Sequence, residues 1–203
     1  MTDPATPVAS VLAVQGLERN DGATLRKLVD VAGRVRTSPD DLATCISFES
    51  RWNPGAVNKS SGATGLIQFM PSTALRLGTT VGAIAKMPAV VQLDLVERYL
   101  APFAGSLATL EDCYLSIFWP NAVGQPGDYV IAREGGAVFR QNPGMNQGSV
   151  ITRDSATRNV RAVRAAAGGR RLPVPAAPLI SGPGGALVLL AVGLALLYTL
   201  RFR

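Results

Sequence analysis

The 203 residues carry 20 basic and 14 acidic side chains, a formal charge of +6, and no histidine. The missing imidazole excludes His-based triads and His-ligated metal sites, and two cysteines, Cys45 and Cys113, are too few for a zinc cage or a disulfide scaffold. Residues 1–152 hold 12 basic and 13 acidic side chains while residues 153–203 hold 8 and 1, so the basic character belongs to the tail. Apart from Phe202 between Arg201 and Arg203, no aromatics interleave with those arginines, which argues against a nucleic-acid partner.

Residues 1–10 contain Pro4, Pro7 and Asp3 without a basic residue, a pattern unlike a secretory signal. Residues 11–17 are mildly apolar and stop at Glu18. Asp21 then caps a helix whose Leu25, Leu28, Val29, Ala32 and Val35 form a packing face. The next helix has Ser38 as N-cap, Pro39 at its first position, and Asp40 and Asp41 in its first turn. Leu42, Cys45 and Ile46 mark its buried stripe, and the next position on that stripe is Glu49. A lone Glu at a helix end is ordinarily a solvated surface group. Here the periodicity turns it inward, and burial together with the negative helix C-terminus predicts a raised pKa. A carboxyl still protonated near neutral pH is what a general acid requires.

Arg51 to Gly55 breaks this helix, and residues 58–65 form a small-residue loop. Gln68, set between Ile67 and Phe69, reads either as an amide aimed at a ligand or as one satisfied by backbone. Pro71 restarts a helix that Gly78 ends. Pro88 opens another, with Val91, Leu95 and Tyr99 on one face. Thr109 and Asp112 make a capping-box-like start to a helix that is apolar nearly all round, predicted to be the centre of the bundle. Residues 120–148 read as irregular, with Tyr129 and Phe139 among glycines and prolines. Thr152 caps a last basic helix, 153–167, bearing Arg153, Arg158, Arg161 and Arg164. A Gly/Pro/Ala linker follows over 168–183. Residues 184–200 are seventeen residues without a charge, closed by Arg201 and Arg203, and read as a single membrane-spanning helix with Tyr198 and Arg201 as interfacial anchors.

The ordered run Glu49-Ser50, Asn53-Pro54, Ala56, Ser61-Gly62-Ala63, Gly65-Leu66-Ile67-Gln68 and Met70-Pro71 resembles the signature of the soluble lytic transglycosylases of the goose-type lysozyme superfamily, which cleave peptidoglycan. The resemblance spans about residues 38–145. It implies that Glu49 is the only catalytic carboxylate, that Ser50 supports it, and that Gln68 and Met70 line the glycan groove. The family's later Ala-Tyr-Asn-Ala-Gly segment is replaced by the run from Tyr114 to Ala122, which is similar to the variant of phage-encoded, virion-associated members. On that likeness Tyr114, Trp119 and Asn121 are assigned to the groove's second wall. Trp52, Trp119 and Tyr129 read more simply as core or loop packing.

The expected architecture is mainly α: a lead-in over 1–37, a lysozyme-like helical catalytic domain over 38–150, a basic helix and linker over 151–183, and a transmembrane helix over 184–200. No cofactor or metal is called for. The expected partners are peptidoglycan glycan strands, a lipid membrane and other virion proteins. Asp94, Glu97, Glu111 and Asp112 fall in first turns or on solvent-facing positions, so no second carboxylate faces Glu49, and a lytic product is expected over a hydrolytic one. A muramidase on the same fold and a silent glycan-binding or membrane-assembly module are the competing functions. The arginine bias around the apolar run (Arg164, Arg170 and Arg171 before it, Arg201 and Arg203 after) places the domain on the cytoplasmic side. That conflicts with an extracytoplasmic substrate, and delivery in a phage particle resolves it. Cys45 and Cys113 are expected near one another as free thiols.

Overall fold

The computed structural model describes residues 9–177. Its elements run β1 (Ser10–Leu12), α1 (Gly22–Arg34), α2 (Pro39–Ser50), α3 (Pro71–Arg76), α4 (Val81–Ile84), α5 (Ala89–Leu100), α6 (Leu110–Phe118), β2 (Val130–Arg133), α7 (Ala137–Gln141), β3 (Val150–Thr152), α8 (Arg153–Ala166) and β4 (Arg171–Pro173), with short 3-10 turns between some of them. The fold is mainly helical. Helices begin where their capping residues put them. Asp21 accepts from the Thr24 N–H, Ser38 from Asp40, Thr109 from Asp112, and Thr152 from Ser155 in a full capping box.

The centre of the bundle is α2, where the hydrophobicity of α6 pointed to α6. α1, α6, α8 and β1 all pack on α2. Leu42, Cys45 and Ile46 are fully buried, as the periodicity predicts, but so are Ala43 and Thr44. Small hydroxyl residues make this possible. Thr44 donates to the Asp40 carbonyl at 2.6 Å and Ser47 to the Gln15 carbonyl at 2.8 Å, so neighbours approach closely without stranding a polar group. α6 lies alongside. Asp41 feels the charge of Glu111, the Cys45 thiol meets Cys113, and the Phe48 ring meets Tyr114. The pairings ascend together, so the two helices run in the same sense.

α8 closes the back of this pair through Ala156 and Val160, both fully buried, and through three of its arginines. Arg164 pairs with Asp41, Arg161 with Glu111 at 3.3 Å, and Arg153 with Asp112 at 2.8 Å. Much of the basic helix is therefore spent on acids of the bundle.

Two short antiparallel sheets correct the reading of the irregular stretches. β2 pairs with β3 across a bulge between Val130 and Ala132, so the 120–148 region carries a hairpin strand and helix α7. β1 pairs with β4 in the register Ser10–Pro173, Val11–Leu172, Leu12–Arg171. Arg171 donates to both Asp40 oxygens, at 2.9 and 3.1 Å, and Val174 is buried, so the stretch read as a linker from Gly168 is docked on the domain at least that far. Among the described residues no helix is long and apolar enough to cross a membrane. The apolar run 184–200 lies outside the described residues.

Candidate active site

Glu49 sits in the last turn of α2, half-buried on the stripe of Leu42, Cys45 and Ile46. Arg51 ends the helix in the left-handed region at φ 52°, and Trp52 follows at φ 59°. Two consecutive non-glycine residues in that region carry a conformational cost, offset here by fixed contacts. The Trp52 indole is buried and donates to the Ala43 carbonyl at 3.1 Å. Trp52 is thus core.

Burial pushes the Glu49 pKa up to about 7, and no neighbouring charge among the described residues contributes. The Glu49 charge adds to the burial that raises the Tyr114 phenol, and less strongly to the burial that raises Tyr99, where Arg76 pulls the other way. Tyr114 is buried, stacked on Phe118 at 5.8 Å and edge-on to Phe48. Its hydroxyl makes no hydrogen bond among the described residues. Tyr99 reaches from α5 to donate to the Ser116 carbonyl at 3.1 Å. It was legible in the sequence only as a packing position.

Tyr99 also borders the loop that carries Gln68. With Gln68, Met70, Thr73 and Ile117 it lines a small cavity of about 40 Å³. Met70 is 45% exposed there, free to meet a ligand. Gln68, at φ 54°, spends its Nε2 on the Gly65 carbonyl at 3.0 Å, with Ala56 at 3.4 Å. The backbone-satisfied reading of Gln68 therefore holds for its nitrogen. Its Oε1 makes no hydrogen bond among the described residues and remains an acceptor. Ser50 is buried and donates to the Leu66 carbonyl at 2.9 Å, tying the catalytic helix to this loop. Trp119, half-buried, is the C-cap of α6, and Asn121 is exposed on the following 3-10 turn, with no side-chain hydrogen bond among the described residues.

A larger cavity, about 600 Å³, opens elsewhere, beside Arg19, Asp21, Asn53 and Pro88. Its lining includes neither Glu49 nor Gln68, so the chemistry is read from the carboxyl's surroundings and not from cavity size.

Asp112 and Glu97 are engaged elsewhere. Asp112 is buried, not solvent-facing as its position in a first turn suggested. Burial works to raise its pKa, but the Gly124 N–H at 2.8 Å, the Thr109 hydroxyl at 2.7 Å and the Arg153 guanidinium outweigh that and hold it below the usual range. Glu97 takes two bonds from Arg34 and is likewise lowered. Neither is available as an acid. Among the described residues no cluster of metal-ligating side chains occurs.

Residues 31–90 match the family model of the transglycosylase SLT domain. The SLT segment takes in α2 with Glu49, the loop to Met70, α3, α4 and the start of α5, and it stops before α6. It supports a lytic transglycosylase of the lysozyme-like superfamily, an enzyme acting on peptidoglycan. Curated proteins gave no match to the chain.

Proposed function

We propose that this protein is a peptidoglycan lytic transglycosylase in which Glu49 alone serves as acid and then as base. The observation that carries the reading is a carboxyl raised to about 7 by burial alone, on the SLT segment, with no neighbouring charge among the described residues contributing. Glu49 donates its proton to the glycosidic oxygen as the bond from the anomeric carbon of N-acetylmuramic acid breaks. The substrate's own acetamido group stabilises the positive centre. The 6-hydroxyl oxygen then bonds to that carbon and its proton passes to Glu49, which closes a 1,6-anhydro ring and returns the acid to its starting state. No water is consumed. In this reading Met70 and the Gln68 oxygen contact the glycan on one side and Tyr114, Trp119 and Asn121 on the other, while Ser50 holds the loop.

The apolar run 184–200 tethers the enzyme to a membrane. The arginines flanking it favour a cytoplasmic domain, and carriage in a phage particle delivers that domain to peptidoglycan from outside.

The deciding experiment is digestion of purified sacculi by wild type and Glu49→Gln, with mass spectrometry of the muropeptides. Anhydro ends from wild type, with activity at least about a thousandfold lower in the variant, are expected. Ordinary reducing ends would turn the reading to a muramidase, and an active folded variant would remove Glu49 from the chemistry. Protease treatment of intact spheroplasts expressing the chain tests the topology: protection of the 38–150 domain is expected, and its digestion would defeat carriage in a particle.

A further inference from the structure

The loop from Arg51 to Met70 lies between two helices and holds no helix or long strand of its own, only isolated bridges joining Thr64 to Val57 and to Phe69. Its position has to be set by side chains from elsewhere. One residue does most of this. Gln92 lies in the first turn of α5, on the buried stripe of Ala89, Leu93, Val96 and Leu100, and is itself fully buried. An apolar side chain would pack on that stripe at no desolvation cost, whereas burying an unpaired amide costs about 1–3 kcal/mol.

Every polar group of Gln92 is engaged. Its Oε1 accepts from the Leu66 N–H at 2.8 Å. Its Nε2 points at the carbonyls of Pro54 at 2.7 Å, Ile84 at 2.9 Å and Met87 at 3.2 Å. Two hydrogens serve three acceptors, so one is shared. A single side chain thereby joins the turn after the Glu49 helix, the end of α4 and the loop that carries Gln68.

Leu66 is held from its other side as well, because its carbonyl takes the Ser50 hydroxyl at 2.9 Å. Its N–H is thus fixed from α5 and its C=O from α2. The preceding residue must be glycine for this to fit. Gly65 has φ +85°, and a Cβ there would come 2.5 Å from the Gln92 oxygen and 2.7 Å from Ile84. Gly65 in turn receives the Gln68 amide through its carbonyl. The chain of contacts runs Gln92, Leu66, Gly65, Gln68.

We infer that Gln92 is a positioning residue for glycan cleavage, setting the distance between the Gln68–Met70 wall and the Glu49 carboxyl through the Leu66 amide. This rests on the function proposed above for what the wall does, and on the observed bonds for how it is held. Gln92 touches no substrate.

The test compares Gln92→Met, which keeps volume and loses every bond, with Gln92→Glu, which keeps an acceptor for Leu66 but turns an anion toward three carbonyls. Steady-state cleavage of soluble uncrosslinked glycan strands is measured beside amide hydrogen exchange. Gln92→Met is expected to lose about a hundredfold in kcat/KM, the scale of a small misplacement at a reacting centre. The pH at which activity falls should stay at the wild-type value, since Glu49 is untouched. Amides of residues 65–70 should exchange faster while those of α2 do not. Gln92→Glu should recover toward wild type near pH 5 compared with pH 8, because protonation restores a donor. Wild-type kinetics and exchange in both folded variants would overturn the inference, even with Glu49→Gln inactive. Failure of both to fold would overturn it too, by assigning Gln92 to global stability. Activity surviving Glu49→Gln would instead strike the functional reading.

Discussion

The Phe48 ring meets the Tyr114 ring edge to face, with centroids 5.2 Å apart and planes at 89°. This contact joins α2 to α6 at the residue next to Glu49, so the aromatic wall beside the carboxyl is fixed by the same helix that carries it. Such pairs contribute about 0.5–1.5 kcal/mol beyond their buried area. Tyr114 also stacks on Phe118, which leaves the phenol immobile with its hydroxyl unspent.

Tyr114→Phe should therefore leave the melting temperature within a degree or two while lowering kcat/KM about tenfold, the loss of one hydroxyl bonded to substrate. Tyr114→Ala should cost about 3–5 kcal/mol of stability. Equal activity of Tyr114→Phe and wild type, measured together with thermal melts, would remove the hydroxyl from the groove.

The activity should fall as pH rises. A general acid works only while protonated, and Glu49 loses its proton through about 7. Above that value kcat/KM is expected to drop about tenfold per pH unit. A profile flat from pH 6 to 9 on the same soluble strands would contradict the assignment.

The same shift has a cost in stability with the opposite sign to an ordinary surface carboxylate. Because the folded pKa lies above the unfolded one, the native state binds the proton more tightly, and stability declines as pH climbs from the ordinary carboxyl value of 4.5 to about 7. Above that window the loss reaches up to about 3 kcal/mol. Glu49→Gln should consequently be more stable than wild type at pH 8 and level with it near pH 4, in paired urea melts. An equal stability difference at both pH values would mean the carboxyl is better solvated than its surroundings indicate.

Ion pairs of the bundle should separate by burial. Arg153→Met leaves Asp112 inside the bundle without its cation, at about 3 kcal/mol. Lys27→Met breaks a pair with Asp94 whose carboxylate is 55% exposed, and should cost under about 1 kcal/mol. Since Asp112 is held below the usual range, its contribution is present above the unfolded value of 3.8 and is lost as pH falls through its folded pKa. Chemical denaturation of both variants at pH 7 checks the ranking.

Cys45 and Cys113 are free, buried and in mutual contact. Burial, then Cys113, pushes the Cys45 thiol up, and burial shields both sulfurs, so neither should react quickly with a thiol reagent in the native protein. Denatured protein should release two thiols with or without reductant. Two extra thiols on reduction would show a disulfide.

The helical parts of this site were legible because caps and the 3.6 period act locally: Ser38, Pro39 and the Leu42-Cys45-Ile46 stripe locate Glu49 with no tertiary information. Strands β1 and β4 were not, being three residues each and about 160 residues apart, too short to show an alternation. Asp112 was misplaced because a first-turn carboxylate is normally solvated, and its partners Gly124 and Arg153 come from distant segments. Gln92 carried a usable signal, a polar residue in phase with Ala89, Leu93 and Val96, and that pattern marks a buried amide with work to do.

Burial alone holds the Glu49 pKa up, with no acceptor, cation or second acid among the described residues contributing. Its affinity for a proton is thus set by how full the cleft is. A glycan strand entering would remove the remaining water and raise that affinity further, so binding and proton uptake become one thermodynamic event. Titration calorimetry near pH 7 in buffers of different ionisation enthalpy should show a fraction of a proton taken up per strand bound, and the enzyme would draw its reagent from the solvent in the act of recognising what it cuts.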